Sequence, residues 1–141
     1  LGPEAGADAI VADGSGMSRE NRVTSRLLAQ WLRSLANDRR VSEVFLESLP
    51  KAGEEGTLDK RFGTIKLAND VRAKSGYLSG VSSLSGFVTD PATGRRAIFS
   101  IISNDKPNSI PLSDVRKMEE RVVEMLDDWV SAQSVAPRMG G

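Results

Sequence analysis

The spacing of apolar residues changes period along the chain, and each change predicts a different element. Leu27, Leu28, Trp31, Leu32 and Leu35 recur every three or four residues while Arg26, Gln30, Arg33 and Ser34 fall elsewhere around the turn, which predicts an amphipathic helix over about residues 25–36. Thr24 is placed to cap it. Val41, Val44, Phe45 and Leu49 predict a short second helix that Pro50 stops. Residues 51–63 are rich in glycine and charge and read as an exposed connection, with one helical turn near Leu58 to Phe62. From Asp70 the pattern turns extended. A strand through Lys74-Ser75-Gly76 leads into strands at about 79–89 and 95–103, the last two joined by Asp90-Pro91-Ala92-Thr93-Gly94, a hairpin sequence. In the last strand Arg96, Ile98, Ser100 and Ile102 share one face, and Ala97, Phe99, Ile101 and Ser103 the other, so both faces are expected to be covered.

Ser113 can cap a long helix whose stripe of Val115, Met118, Val122, Met125, Leu126 and Trp129 is expected to pack on the sheet. Ahead of the first helix, Ala9-Ile10-Val11-Ala12 reads as a strand end, and Asp13 shapes the turn cluster Asp13-Gly14-Ser15-Gly16. Residues 1–8 and 134–141 are expected to be flexible. These elements make an α+β domain: an antiparallel sheet of at least three strands, with the C-terminal helix on one side and helices on the other.

Composition narrows the chemistry. With 19 basic and 19 acidic side chains in 141 residues there is no bulk charge to attract nucleic acid or an anionic membrane. There is no cysteine and no histidine, so a disulfide framework, a thiolate metal site and the commonest general base are all excluded. Proton transfer must use Lys, Ser, Tyr, Asp or Glu. Neither a signal peptide nor an apolar run long enough to span a bilayer is visible.

Three separated blocks carry more specific information: Asp13-Gly14-Ser15-Gly16-Met17-Ser18-Arg19-Glu20-Asn21, then Leu49-Pro50-Lys51-Ala52-Gly53-Glu54-Glu55-Gly56-Thr57-Leu58, then Ala73-Lys74-Ser75-Gly76 with Gly80-Val81 and Ser85-Gly86-Phe87-Val88. In this order they resemble the penicillin-binding D-alanyl-D-alanine carboxypeptidases of the class C type, a penicillin-recognising serine transpeptidase-like fold whose signature includes Ser-x-x-Lys, Ser-x-Asn and Lys-Thr-Gly motifs. The resemblance implies that Lys74, Ser75 and Gly76 stand for the last of these, Ser replacing Thr. Lys74 would then bring positive charge to the terminal carboxylate of the substrate, Ser75 a hydrogen bond, Gly76 close backbone approach, and Tyr77 N–H half of an oxyanion hole. Ser18 would relay a proton to the leaving amine and Asn21 would anchor a substrate amide, although Glu20 holds the strict Ser-x-Asn place and Asn21 can equally bond its own loop.

The nucleophile motif has no convincing match. Ser48-Leu49-Pro50-Lys51 has Pro inside it and Ser103-Asn104-Asp105-Lys106 leaves a strand, so neither offers a helical Ser-x-x-Lys pair. The chain is therefore expected to be the C-terminal portion of a serine carboxypeptidase or endopeptidase that works through an acyl-serine intermediate, inactive by itself. The alternative is a non-catalytic module that binds peptidoglycan peptides. Either reading implies no metal and no organic cofactor, stem peptides ending in D-alanine as partners, β-lactams as ligands of the complete protein, and a place in the cell envelope or periplasm. An incomplete domain also implies a bare sheet edge and a bare apolar face, covered by a homodimer or a companion fragment.

Overall fold

The computed structural model describes residues 9–54, 56–104 and 109–135. Its elements follow the chain as α1 (Ser25–Asn37), α2 (Ser42–Glu47), a 3₁₀ turn (Gly56–Leu58), β1 (Asp70–Leu78), β2 (Val81–Thr89), β3 (Arg96–Ser103) and α3 (Leu112–Val135). The strands form one antiparallel sheet in the order β1-β2-β3. The fold is α+β with helices on both faces of the sheet, as the periodicity predicts.

Strand alternation sorts the core into two layers. Val71, Ala73, Leu84, Val88 and Phe99 point to one face and meet Val123 and Val130 of α3, together with Leu58 and Phe62. Phe87 and Ile98 point to the other, where they pack on Leu32, Leu49, Phe45 and Leu46. Thr24 caps α1, its hydroxyl accepting from Leu27 N–H at 3.1 Å. The hairpin forms as expected: Gly94 takes φ 70°, and Asp90 accepts from Gly94 N–H and donates to Arg95 O, each at 2.8 Å.

Four expectations need correction. The second strand begins at Val81 and not at residue 79, because Ser79-Gly80 make the β1–β2 turn with Gly80 at φ 85°. Ser113 lies inside the first turn of α3 and does not cap it. Residues 51–63 are not merely exposed: Leu58, Arg61 and Phe62 are buried. The largest departure is in α3, where Val115, Val123 and Val130 are buried but Met118, Val122, Met125 and Trp129 are exposed. Polar side chains displaced them. Glu119, fully buried, accepts from Arg61 at 3.0 Å and from Ser82 Oγ at 2.8 Å, while Asp127 accepts from the N–H groups of Ala68 and Asn69 at 2.8 and 3.0 Å. These contacts turn α3 so that its acidic residues reach the sheet. The N-terminal residues expected to be flexible, 1–8, lie outside the described residues, as do 136–141, whereas α3 continues through Ser134 and Val135.

Candidate active site

β1 is an edge strand, and its outer edge is only half covered. Pro50 stops α2 and sends the chain alongside β1, where Ala73 N–H donates to Pro50 O at 3.0 Å and Ala52 N–H to Val71 O at 2.9 Å. Backbone groups alternate along a strand, so those of Val71 and Ala73 face outward, and those of Ser75 and Tyr77 follow on the same edge. Past Pro50 nothing pairs with the N–H groups of Ser75 and Tyr77 among the described residues. Lys74 Nζ hydrogen-bonds to Ser75 O at this open end.

Behind the edge lies a cavity of about 350 Å³. Its floor is polar, made by Lys74, Ser75, Gly76, Ser83 and Ser85, and its wall is apolar, made by Leu28, Trp31, Leu32, Phe45 and Leu49 from α1, α2 and the turn after it. Trp31 stands edge-on to Phe45, which stands edge-on to Phe87, so the wall rests on the sheet. Gly76 keeps the floor low: a Cβ there would come within 2.6 Å of Ser83 Oγ. One cation, several hydroxyls and unpaired strand N–H groups beside an apolar wall suit an extended peptide with a carboxylate. Sequence reasoning missed Ser83 and the α1–α2 wall, because only the fold puts them opposite Lys74.

Ser18 and Asn21 sit on a separate loop. The Asp13 carboxylate accepts from Ser15 Oγ, from the N–H groups of Met17 and Ser18, and from Asn21 Nδ2 at 2.6 Å. Asn21 Oδ1 in turn accepts from Ala12 and Asp13 N–H, and Ser18 Oγ accepts from Glu20 N–H. Hydrogen bonds from Ser15 and Asn21 hold the Asp13 pKa down at about 2. Arg19 ties this loop to the β1–β2 turn by donating to Ser79 O at 3.1 Å. Neither Ser18 nor Asn21 lines the cavity. The Ser48 and Lys51 side chains are likewise apart in function: Ser48 Oγ donates to Phe45 O at 2.7 Å, and Lys51 pairs with Glu54 at 2.6 Å.

The profile of the D-Ala-D-Ala carboxypeptidase 3 (S13) family matches residues 5–128. The chain belongs to this family. Among curated members it is 39% identical over 106 residues to carboxypeptidase Rv3627c of Mycobacterium tuberculosis, covering 70% of this chain and 22% of that protein. It is 37% identical over 123 residues to the D-alanyl-D-alanine carboxypeptidase of Actinomadura sp. (strain R39), covering 84% of this chain and 22% of that protein. The crystal structure of penicillin binding protein 4 (dacB) from Haemophilus influenzae superposes with a TM-score of 0.70 at 30% identity, over 85% of this chain and 28% of that one. The same protein has been solved in complex with a β-lactam. The chain thus spans between about a fifth and just over a quarter of the length of the family members it matches.

Proposed function

We propose that the complete protein cleaves peptidoglycan stem peptides after the penultimate residue of a D-alanyl-D-alanine end, through an acyl-serine intermediate whose nucleophile lies outside these 141 residues. The observation that carries this reading is the open half of the β1 edge, where unpaired N–H groups at Ser75 and Tyr77 flank Lys74 and Gly76 beside the cavity. A substrate adding itself as a strand would pair with those groups. The Lys74 ammonium and Ser75 hydroxyl then hold its terminal carboxylate, and Tyr77 N–H stabilises the oxyanion that forms on attack. The relatives' names support the substrate class, and the β-lactam bound by the Haemophilus protein supports an acylating site.

Ser18 and Asn21 take a different part from the one their motif implies. Because the Asn21 amide is spent on Asp13 and neighbouring backbone, and Ser18 Oγ accepts from Glu20 N–H, they brace the loop that Arg19 ties to Ser79, and the substrate contacts rest on β1. No cofactor enters the scheme. Substrate location puts the protein in the cell envelope, outside the cytoplasmic membrane.

The test is Lys74→Ala in the complete protein. Lys74 is exposed and its one described hydrogen bond is to the neighbouring carbonyl, so the melting temperature should hold within about 2 °C, in line with a surface change of a few tenths of a kcal/mol. Covalent labelling by a fluorescent penicillin should fall at least 100-fold. Normal labelling would remove Lys74 from the site, and a wild-type complete protein that never labels would favour the non-catalytic module.

A further inference from the structure

Tyr77, whose N–H the proposed reaction uses, sits at the least supported end of β1. Ser79 and Gly80 close the hairpin, so Leu78 pairs with Val81, Gly76 pairs with Ser83, and Tyr77 faces Ser82 between them. That middle pair exchanges no backbone hydrogen bond, because the Tyr77 groups point outward while those of Ser82 point to Ser103 on β3. Among the described residues no backbone group meets Tyr77 N–H on the outer edge, and the Tyr77 side chain is 55% exposed. Its place therefore depends on what holds Ser82.

Ser82 is held from α3. The side chains at 77 and 82 share the face that α3 covers, with α-carbons about 4.5 Å apart in a pair of this kind. Ser82 is 4% exposed, and its Oγ donates to Glu119 Oε1 at 2.8 Å. Glu119 is fully buried and does not swing to follow a moving strand, since its Oε2 accepts from Arg61 Nη2 at 3.0 Å. Arg61 is anchored in turn, by Glu120 at 2.8 Å, by the Arg116 carbonyl at 3.1 Å and by the Phe62 ring. Apolar side chains commonly stabilise a core as well as a buried ion pair does. What the charge-assisted hydrogen bond adds is one fixed distance between α3 and the end of the hairpin.

We infer that Glu119 and Ser82 are positioning residues, a strut that sets where Tyr77 N–H stands relative to Lys74 so that it meets the oxyanion formed on attack. The inference rests on the proposed carboxypeptidase reaction and adds to it a part for α3, which touches no substrate. Lys74 and Ser75, which hold the substrate carboxylate before and after attack, lie nearer the support from Pro50, where Ala73 N–H is paired. Tyr77 N–H matters once negative charge develops on the oxygen, so the strut acts on the transition state and not on binding. A donor displaced rather than lost should cost about ten-fold in rate, below the roughly 10²–10³ of outright removal.

The experiment measures turnover of an N-acylated synthetic peptide ending in D-alanyl-D-alanine by the complete protein, at a temperature well below every melting transition. Ser82→Ala should lower kcat about ten-fold and leave KM within about two-fold, and Ser82→Thr, which restores the hydroxyl, should bring kcat back to within about three-fold of wild type. Val130→Ala is the structural control, since it removes buried packing from α3 about 16 Å along the helix from Glu119. It should lower the melting temperature as far as Ser82→Ala or further, with kcat unchanged. An unchanged kcat in Ser82→Ala, a loss carried by KM, a Thr variant as slow as the Ala variant, or an equal fall in Val130→Ala would each overturn the inference and leave the proposed reaction standing. A wild-type protein that does not turn over the peptide would overturn the reaction itself, and the strut's part with it.

Discussion

Gly86 faces Ala73 across the β1–β2 ladder, on the face covered by α3, and has no room for a side chain. A Cβ there would lie 2.2 Å from Arg72 O and 2.6 Å from Ala73 Cα, both backbone atoms that move only with the strand. Gly86→Ala should therefore destabilise the complete protein by about 1–3 kcal/mol, the range for an overpacked core, as read from its urea midpoint. Gly76 is a different case, since its obstacle is the rotatable Ser83 hydroxyl. Asp13 sets the acid behaviour of the Ser18 loop. Its folded pKa of about 2 lies below the ordinary 3.8, so it favours the folded loop fully above pH 4 and loses that contribution as pH falls toward 2. Proteolysis within residues 13–21 should thus stay slow at pH 5 and quicken between pH 4 and 2, and Asn21→Ala should make the loop labile already at pH 7. An acid-insensitive loop in the wild type would remove Asp13 as its organiser. Lys74, Ser75 and Gly76 were legible in the sequence because a motif is local; the commitment of Asn21 to Asp13 was not, because one Asn side chain can serve a ligand or its own loop equally well until coordinates show its partners.

Elements were legible where one period dominates and a terminator is unambiguous. Thr24, Pro50 and the Asp90–Gly94 turn place α1, the end of α2 and the β2–β3 hairpin with little error, because each acts through its immediate neighbours. The α3 face was misread for the opposite reason. Apolar periodicity favours the row of Met118, Val122, Met125 and Trp129, yet the helix is oriented by Arg61 and Ser82 acting on Glu119, partners 58 and 37 residues away in the chain. No window of sequence contains that interaction. Its strength can be measured: Glu119→Ala would leave the buried Arg61 with Glu120 and the Arg116 carbonyl alone and strand Ser82 Oγ, a loss of about 1–3 kcal/mol, visible as a lowered denaturation midpoint. Changing Arg61→Leu, Glu119→Leu, Glu120→Gln and Ser82→Ala together removes the charges of the cluster at once and should recover much of that loss. If Glu119→Ala proves mild, the buried pair does not fix the helix.

At the scale of the molecule, the proposed reaction needs an activated attacking group, and among the described residues no serine hydroxyl is hydrogen-bonded to a lysine ammonium. A serine becomes a nucleophile when a neighbouring base takes its proton, and histidine is absent from the chain. Ser48 spends its hydroxyl proton on Phe45 O, and Lys51 holds Glu54 on the other side of Pro50. Ser83 and Ser85 line the cavity with Lys74, but Ser85 shares its hydrogen bond with Ser100 at 2.9 Å and the Lys74 ammonium is turned to Ser75 O. The 141-residue chain incubated with a penicillin should accordingly show an unchanged intact mass, while the complete protein gains the mass of one acyl group. An adduct on the short chain would overturn the claim that its nucleophile lies elsewhere, and peptide mapping would name the serine. If the adduct mapped to Ser83, the cavity floor itself would be the reacting surface and Lys74 its base, which Lys74→Ala would then silence in the fragment as well as in the whole.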